Sequence, residues 1–193
     1  MSKARLEAFS DGVFAVAITL LVLEIAVPGE RGSLAHQVAE LWPSFAGYLV
    51  SFATIGIIWV NHHTMITRFD RLDRTTLFLN LNLLLWVVLI PWSTALIAEH
   101  LRDTGTDEHF AAAVYAANFF VMGLSFFAVW SHAGRARLMD VEPPIMRRLI
   151  RRNAVGEVAY LVAVAVAWAS AEASLVVCGV VAAYYIHPGP LRL

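Results

Sequence analysis

The beginning of this chain combines a membrane-length apolar helix with a charged residue near its start. Residues 5–25 read RLEAFSDGVFAVAITLLVLEI. A membrane span needs about 20 mostly apolar residues, and an ionisable residue inside a span is costly unless it is buried in protein or faces water. Asp11, which follows Ser10, therefore marks a candidate functional site in a chain that is built into a membrane.

The composition agrees with a membrane protein. Of the 193 residues, 59% are hydrophobic and 15% are charged, whereas a soluble domain carries about 25% charged residues. The single cysteine, Cys178, lies in an apolar run, so it predicts a small packed residue and excludes an intrachain disulfide. The sequence contains no G-x-S-x-G, H-E-x-x-H or phosphate-loop pattern. We expect neither an enzyme nor a nucleic-acid partner.

Apolar runs predict an all-α integral membrane protein with six transmembrane helices in a single domain covering residues 1–193. The tight 170–174 segment joins the last two spans into a hairpin. Residues 145–153, which follow two prolines, predict an amphipathic interfacial helix that runs into the fifth span. The predicted spans are 6–27, 42–65, 77–98, 109–132, 153–170 and 172–187.

The basic residues choose the orientation of these spans. Six spans place both termini on one side, and cytoplasmic loops carry an excess of Lys and Arg. With cytoplasmic termini, the outer segments hold only Arg31 and Arg102, and 12 of the 14 basic residues lie inside. We predict a multi-pass protein of the cell membrane with an uncleaved first helix. The inner basic residues are Lys3, Arg5, Arg68, Arg71, Arg74, Arg135, Arg137, Arg147, Arg148, Arg151, Arg152 and Arg192.

This topology brings distant polar residues to a common depth. Asp11 lies about 8 Å into the first span, at 1.5 Å per residue, and the antiparallel second span ends WVNHHTMITRF near that level. The preferred interpretation is a hydrogen-bonded lock between the first three spans. A histidine proton relay or pH sensor and direct ion coordination by Asp11 remain open. The converging residues are Arg5, Ser10, Asp11, His62, His63, Asn80 and Asn82.

Glu157 is a second intramembrane acid, near the start of the fifth span. The arginines of 147–152 lie about one turn below it and are its expected partners. This pairing predicts a structural role.

A narrow apolar stripe runs along the first helix. At 100° per residue, Gly12, Val16, Leu20, Leu23 and Val27 fall within roughly 80° of one another. Asp11 projects about 140° away from Val16. In one interpretation, the stripe packs against lipid or against the core of the chain. In the other, the stripes of several copies meet on an axis, and rings of branched side chains form a hydrophobic constriction that gates an ion path by expelling water.

The residues Arg5…Phe9-Ser10-Asp11-Gly12, the following TLLVL and the Trp59…His62-His63 run resemble the transmembrane protein 175 family of potassium channels. The resemblance covers essentially the whole chain and is closest to the prokaryotic members with one six-helix unit. It implies a homotetramer in which the first helix of each subunit lines a pore. Potassium is the permeant ion, without a TVGYG filter or a bound cofactor.

The resemblance also assigns individual positions. The narrow apolar ring falls on Val16, with further rings at Leu20 and Leu23, and the selectivity threonine falls on Thr19. Arg5, Asp11 and either His62 or His63 match the family's polar network. Isoleucine or leucine often occupies the narrowest position in this family, so Val16 is a departure that widens the ring or shifts the constriction to Leu20.

Two other functions compete with this one. A proton-coupled secondary transporter would use Asp11 and the histidines of the second span, but such transporters usually show internal repeats and broken helices at the midplane. Here Pro91 breaks the third span and no repeat is visible. A b-type haem protein would need two facing histidines at one depth, and His62 and His132 form a candidate pair.

Overall fold

The computed structural model describes residues 2–29, 33–101, 105–139 and 141–186, and helices dominate these ranges. Helices suit a bilayer because they pair every backbone N–H and C=O within the segment. Arg31, Arg102 and Arg192, which contribute to the predicted orientation, lie outside the described residues. The α-helices are α1 (Lys3–Leu20), α2 (Leu34–Glu40), α3 (Trp42–Thr67), α4 (Arg74–Val88), α5 (Ile90–His100), α6 (Thr106–Arg135), α7 (Pro143–Ala167) and α8 (Ala171–Ile186).

The first predicted span is shorter than its apolar run. A 3-10 turn, Leu21–Glu24, continues α1, and the chain becomes extended at Ile25, with ψ at 112°. Pro28 restricts the residue before it to extended backbone, so a helix cannot include Val27 at its end. The helical part therefore stops at Glu24, whereas the predicted span runs to residue 27.

The third predicted span is broken at Leu89 into α4 and α5. Pro91 lies in the first turn of α5, where its missing N–H and its ring disrupt the preceding helical bonds. The hydroxyls of Ser93 and Thr94 donate to the Ile90 carbonyl oxygen at 3.0 and 2.7 Å. Both bonds meet at one carbonyl oxygen, that of the first residue of α5, and fix the turn that contains the proline.

The arginine-rich 145–153 segment and the fifth predicted span form one continuous helix, α7. It begins with Pro143, a residue that suits a first helical turn. The hairpin to α8 closes at Ser170, whose hydroxyl oxygen accepts a hydrogen bond from the Ala173 backbone N–H at 3.1 Å. The predicted interfacial extension is thus part of the helix itself.

Four helical stretches in the described ranges are long and apolar enough to cross a membrane. Helix α8 is apolar but shorter, and arginines occupy the first half of α7. The all-helical prediction is confirmed, whereas the count of six spans stays a prediction. The four stretches are Lys3–Glu24, Trp42–Thr67, Arg74–His100 and Thr106–Arg135.

Helix α6 is the centre of the bundle and packs against α4, α5, α7 and α8. Helix α1 packs on another side, against α3, α4 and α5. A large apolar core includes Phe14, Leu83 and Phe119, and a second one at the start of α1 includes Leu6 and Trp130. Helix α1 is therefore held along its length by one side of the bundle.

Candidate functional site: the two faces of the first helix

One face of α1 is buried in the bundle. Leu6, Ser10, Phe14, Ala17 and Leu21 are all almost inaccessible to solvent. Their spacings of three and four residues place them on a single side of the helix. This face attaches α1 to α3 and α4, and only Ser10 on it is polar.

The opposite face of α1 is uncovered in the single chain. Val16 is 58% exposed, Leu20 39% and Leu23 74%. The sequence-predicted stripe is thus not core of this chain, which removes one of its two structural interpretations. A helix of membrane length that leaves branched side chains without protein neighbours must place them against lipid or against another molecule.

Thr19 lies on this exposed face. Its hydroxyl donates to the Val16 carbonyl oxygen at 2.9 Å, one turn back in the same helix. Because the hydroxyl proton is used within α1, the oxygen lone pairs are left to accept a partner or to coordinate a cation.

A shallow apolar groove continues the exposed face toward α4. It is lined on α1 by Ala8, Phe9, Gly12, Val13 and Val16, and on α4 by Val88. A Cβ added at Gly12 would meet nothing within 4 Å. The chain therefore leaves open space beside the narrow predicted ring at Val16.

A buried chain of hydrogen bonds ties α1 to α3 and α4. His62 Nε2 lies 2.7 Å from Asn80 Oδ1, and Asn80 Nδ2 donates to Ser10 Oγ at 3.0 Å. Since the Asn80 amide nitrogen is the donor to Ser10, its oxygen accepts and His62 Nε2 carries the proton. All three side chains are buried, so these bonds fix the base of α1 against α3 and α4.

Two further bonds join the same helices beside this buried chain. Trp59 Nε1 donates to Asp11 Oδ1 at 2.8 Å, and His63 Nδ1 lies 2.8 Å from Glu7 Oε1. The two histidines of α3 therefore have different partners, and neither is Asp11. Trp59 and Glu7 supply groups that sequence reasoning did not assign to the network.

Two of the predicted residues lie elsewhere. Arg5 is exposed on α1, and within the described residues it forms no ion pair. Asn82 points toward α6, where its Nδ2 donates to Ser125 Oγ at 2.7 Å. The structure thus brings Ser10, Asp11 and the histidines together and leaves Arg5 and Asn82 outside the group.

A second polar group fixes the end of the bundle outside the spans. The Asp73 carboxylate caps α4 and accepts from the Thr76 backbone N–H and hydroxyl, each at 2.7 Å. These bonds favour the charged form and lower the Asp73 pKa to about 2. His132 Nε2, on α6, lies 2.8 Å from the other carboxylate oxygen.

Beside this cap, Lys3 Nζ donates to the Thr67 and Phe69 carbonyl oxygens at 2.6 and 3.2 Å. A cation at the end of a helix satisfies its last carbonyls and its dipole. The start of α1 is therefore attached to the end of α3.

These partners bear on cofactor binding. His62 and His132 each use Nε2 on a different protein partner, Asn80 or Asp73. This arrangement does not favour the haem hypothesis. In the ranges that the structure describes, no group of three or more His, Cys, Asp or Glu is placed to hold a metal ion.

Together, these features define an all-helical membrane protein whose first helix is locked to the bundle through polar groups at its base and is bare along its other face. Comparisons with known proteins place this arrangement in a family. Residues 5–91 match the family described as "Endosomal/lysosomal potassium channel TMEM175". The chain belongs to the TMEM175 family, because relatives that are 46% and 39% identical also match nearly its whole length.

Relatives match most of the chain. A potassium channel of Streptomyces collinus is 46% identical over 188 residues, which cover 95% of this chain and 91% of that protein. The crystal structure of a lysosomal potassium-selective channel TMEM175 homologue from Chamaesiphon minutus has a TM-score of 0.87 and 39% identity. The matched region covers 95% of this chain and 96% of the chain in that crystal structure.

A vertebrate relative is more distant. The endosomal/lysosomal proton channel TMEM175 of Gallus gallus is 34% identical over 143 residues. The match covers 69% of this chain but 28% of that longer protein.

Proposed function

We propose that this chain is a potassium-permeable channel of the cell membrane. Four copies surround an axis, and α1 of each copy lines the ion path. The names of the bacterial relatives support potassium as the permeant ion. The exposed apolar face of α1, which the chain itself leaves without a partner, carries the proposal.

The constriction consists of rings of Val16, Leu20 and Leu23. Narrow rings of branched side chains stop ion flow by expelling water, because a hydrated ion loses its shell there without compensation. Leucine reaches farther from the helix than valine, so Leu20 narrows the path at least as much as Val16. Thr19 lies between these rings and offers its free lone pairs to a partly dehydrated potassium ion.

The polar network holds each pore helix in position. The Ser10–Asn80–His62 chain and the Asp11–Trp59 bond join α1 to two other helices. Arg5 and Asp11 extend the network toward a neighbouring subunit, as the family resemblance implies. This assignment makes the polar residues structural and the apolar stripe functional.

The orientation follows from charge. Six spans, including α7 and α8, place both termini in the cytoplasm, so that the base of α1 and the arginines of α7 face the negatively charged inner surface. The polar network then lies at the cytoplasmic end of the ion path.

A second candidate is proton-coupled transport through Asp11, His62 and His63. The name of the Gallus gallus relative, a proton channel, favours proton movement in the family. The Glu7–His63 and Asp11–Trp59 pairs place two carboxyl groups beside titratable or polar partners. A direct flux measurement separates the candidates.

The test is ion flux through purified protein in liposomes. We expect potassium flux well above sodium flux without an imposed pH gradient. Flux that appears only with a pH gradient would support the transporter and contradict the channel. Leu20→Asn and Leu23→Asn should raise the flux or reduce selectivity, because a polar side chain hydrates the constriction.

Leu161→Asn is the matched control. Leu161 is 54% exposed on α7, so it receives the same substitution on a comparably exposed surface that α1 does not share. Unchanged currents in both stripe variants, or equal changes in the control, would argue against a pore lined by α1.

A further inference from the structure

A cavity of about 480 Å³ lies between α3, α6, α7 and α8, away from α1. None of its lining residues comes from α1. The cavity is therefore separate from the proposed ion path and from the polar network at the base of the first helix. Its size suits part of a lipid or another small amphiphile.

The polar and apolar groups of this cavity are segregated. Asn61 and Thr64 come from the last two turns of α3, and Arg152 and Asn153 lie on the arginine-bearing half of α7. Deeper in the bundle the walls are mostly apolar, with Ile57 and Leu83 as examples. Thr54 also lines this part, but its hydroxyl donates to the Val50 carbonyl oxygen of its own helix. The cavity thus has a polar mouth toward one end of the bundle and a largely apolar interior.

Two arginines of α7 lie at or near the mouth. Arg152 lines it, and Arg148 lies one turn earlier on the same side of α7. Arg152 also donates to the Tyr185 carbonyl oxygen at 3.3 Å, and its guanidinium lies 5.3 Å from the centre of the Tyr185 ring. These contacts hold the guanidinium at the cavity. Basic pockets between membrane helices on the cytoplasmic side bind anionic lipid headgroups.

Glu157 supplies a polar group inside the cavity. Its Oε2 is buried and has no hydrogen-bond partner among the described residues. The carboxyl group packs where a side chain at Gly123 of α6 would otherwise be. A buried polar atom without a partner is unfavourable, so a ligand with a complementary group would stabilise this site. The arginines predicted as partners of Glu157 do not pair with this oxygen. One of them, Arg152, lines the mouth of the same cavity.

We propose that this cavity binds an anionic glycerophospholipid of the cytoplasmic leaflet. The phosphate lies against Arg152 and Arg148, the protonated Glu157 carboxyl donates to an ester carbonyl oxygen of the glycerol region, and one acyl chain fills the largely apolar interior. The assignment goes beyond ion conduction and rests on the proposed function only through the orientation of the helices.

The experiment is native mass spectrometry of the purified full chain in detergent, with added phosphatidylglycerol or phosphatidylcholine of identical acyl chains. We expect preferential retention of phosphatidylglycerol. Arg152→Gln should reduce that retention about fivefold, as expected for one basic group at an anionic lipid surface. Arg147→Gln, which removes the same charge about 140° around the helix from Arg152, should leave it unchanged.

Two further arms separate the parts of the proposal. Glycerol phosphate, which has the headgroup chemistry without acyl chains, should not displace the lipid. Ile57→Phe, which fills the interior of the cavity, should reduce retention of the lipid without changing the charge of the protein. This variant tests the proposal even if Arg152→Gln does not fold. Equal retention of the two lipids, or equal losses in Arg147→Gln and Arg152→Gln, would overturn the proposal. Binding does not depend on flux, so these results are distinguishable from failure of the channel function.

Discussion

Thr19 shows how one side chain can serve its own helix and the surface outside it. The bond to the Val16 carbonyl oxygen fixes the hydroxyl, and the oxygen is left facing outward from the bundle. Neighbouring residues on that face are apolar, so in the proposed assembly this oxygen is the polar group available to an ion between the Val16 and Leu20 rings.

Thr19→Val should lower the ratio of potassium to sodium flux. The substitution keeps the branched shape but removes the oxygen. If the oxygen contributes as much to potassium binding as one hydrogen bond contributes to stability, the flux ratio should fall about fivefold. The measurement is flux in liposomes with each cation alone. Thr64→Val is the control, because Thr64 donates to its own helix at 2.9 Å but lies on α3. An unchanged ratio in Thr19→Val would contradict a role in selectivity.

Asp11→Ala should impair assembly more than permeation. The change removes the acceptor that the Trp59 indole N–H has at 2.8 Å, and a hydrogen bond of this kind contributes about 0.5–1.5 kcal/mol. Size-exclusion chromatography would measure the assembled fraction, and flux per assembled channel would measure permeation. Trp59→Phe, which removes the donor instead, should weaken assembly in the same direction. A stable oligomer with altered selectivity would contradict this prediction.

At the scale of single residues, the sequence could predict which side chains of the first two spans come near one another. It could not predict which hydrogen bonds they form. The antiparallel arrangement of the first two spans placed His62 and His63 near Asp11, and the structure has them there. Helix α3 is apolar on most of its sides, so its sequence gives little information about its rotation. That rotation decides that His62 reaches Asn80, that His63 reaches Glu7 and that Trp59 reaches Asp11.

At the scale of elements, charged groups at helix ends decide how the helices begin and end. Asp73 caps α4, and Lys3 satisfies the last carbonyls of α3. The sequence predicted the spans from hydropathy alone, and hydropathy does not register such caps. The sequence did indicate the break between α4 and α5 through Pro91, although the apolar run continues across it.

Asp73→Asn should destabilise the protein by about 1 kcal/mol at neutral pH, because the amide can still cap α4 but its bonds to Thr76 and His132 are no longer charge-assisted. The Asp73 pKa is about 2 in the folded protein and ordinarily 3.8. A lowered pKa means that the carboxylate stabilises the fold above about pH 4 and loses this contribution as the pH falls toward 2.

Thermal unfolding in detergent at pH 6 and at pH 2.5 would measure the effect. The difference between wild type and Asp73→Asn should be smaller at the lower pH. Asp70→Asn, an acid in the same connection that caps no helix, should show little difference at either pH. If the difference in stability between wild type and Asp73→Asn were the same at both pH values, the charge of Asp73 would not contribute to the stability of the fold.

At the scale of the whole molecule, the bundle covers one side of α1 and leaves the other side open. The stripe of Val16, Leu20 and Leu23 was visible in the sequence, but periodicity could not distinguish core, lipid and pore. The fold removes the first of these, because the same residues are exposed in the chain. Whether the stripe faces lipid or a pore is decided by how several copies of the chain assemble.

Cysteine crosslinking tests the assembly. In a Cys178→Ala background, Leu23→Cys should form crosslinked pairs with a short bis-maleimide, because the proposed axis brings copies of this position together. Native mass spectrometry of the intact assembly should give four chains. Leu161→Cys, on the outward surface of α7, should remain uncrosslinked. Crosslinking at Leu161 but not at Leu23 would place α1 away from the axis.

The attachments of α1 are distributed unevenly along its length. In the described residues, its side-chain hydrogen bonds and ion pairs to other helices come from the segment between Lys3 and Asp11. Beyond that segment, α1 is held by apolar packing through Phe14 and Ala17. Apolar contacts have no donor–acceptor geometry to satisfy, so they restrain the rotation of the outer half less strictly than hydrogen bonds restrain the base. In the proposed assembly, the width of the ion path would therefore depend on side-chain shape, whereas directional bonds would fix the base that supports it.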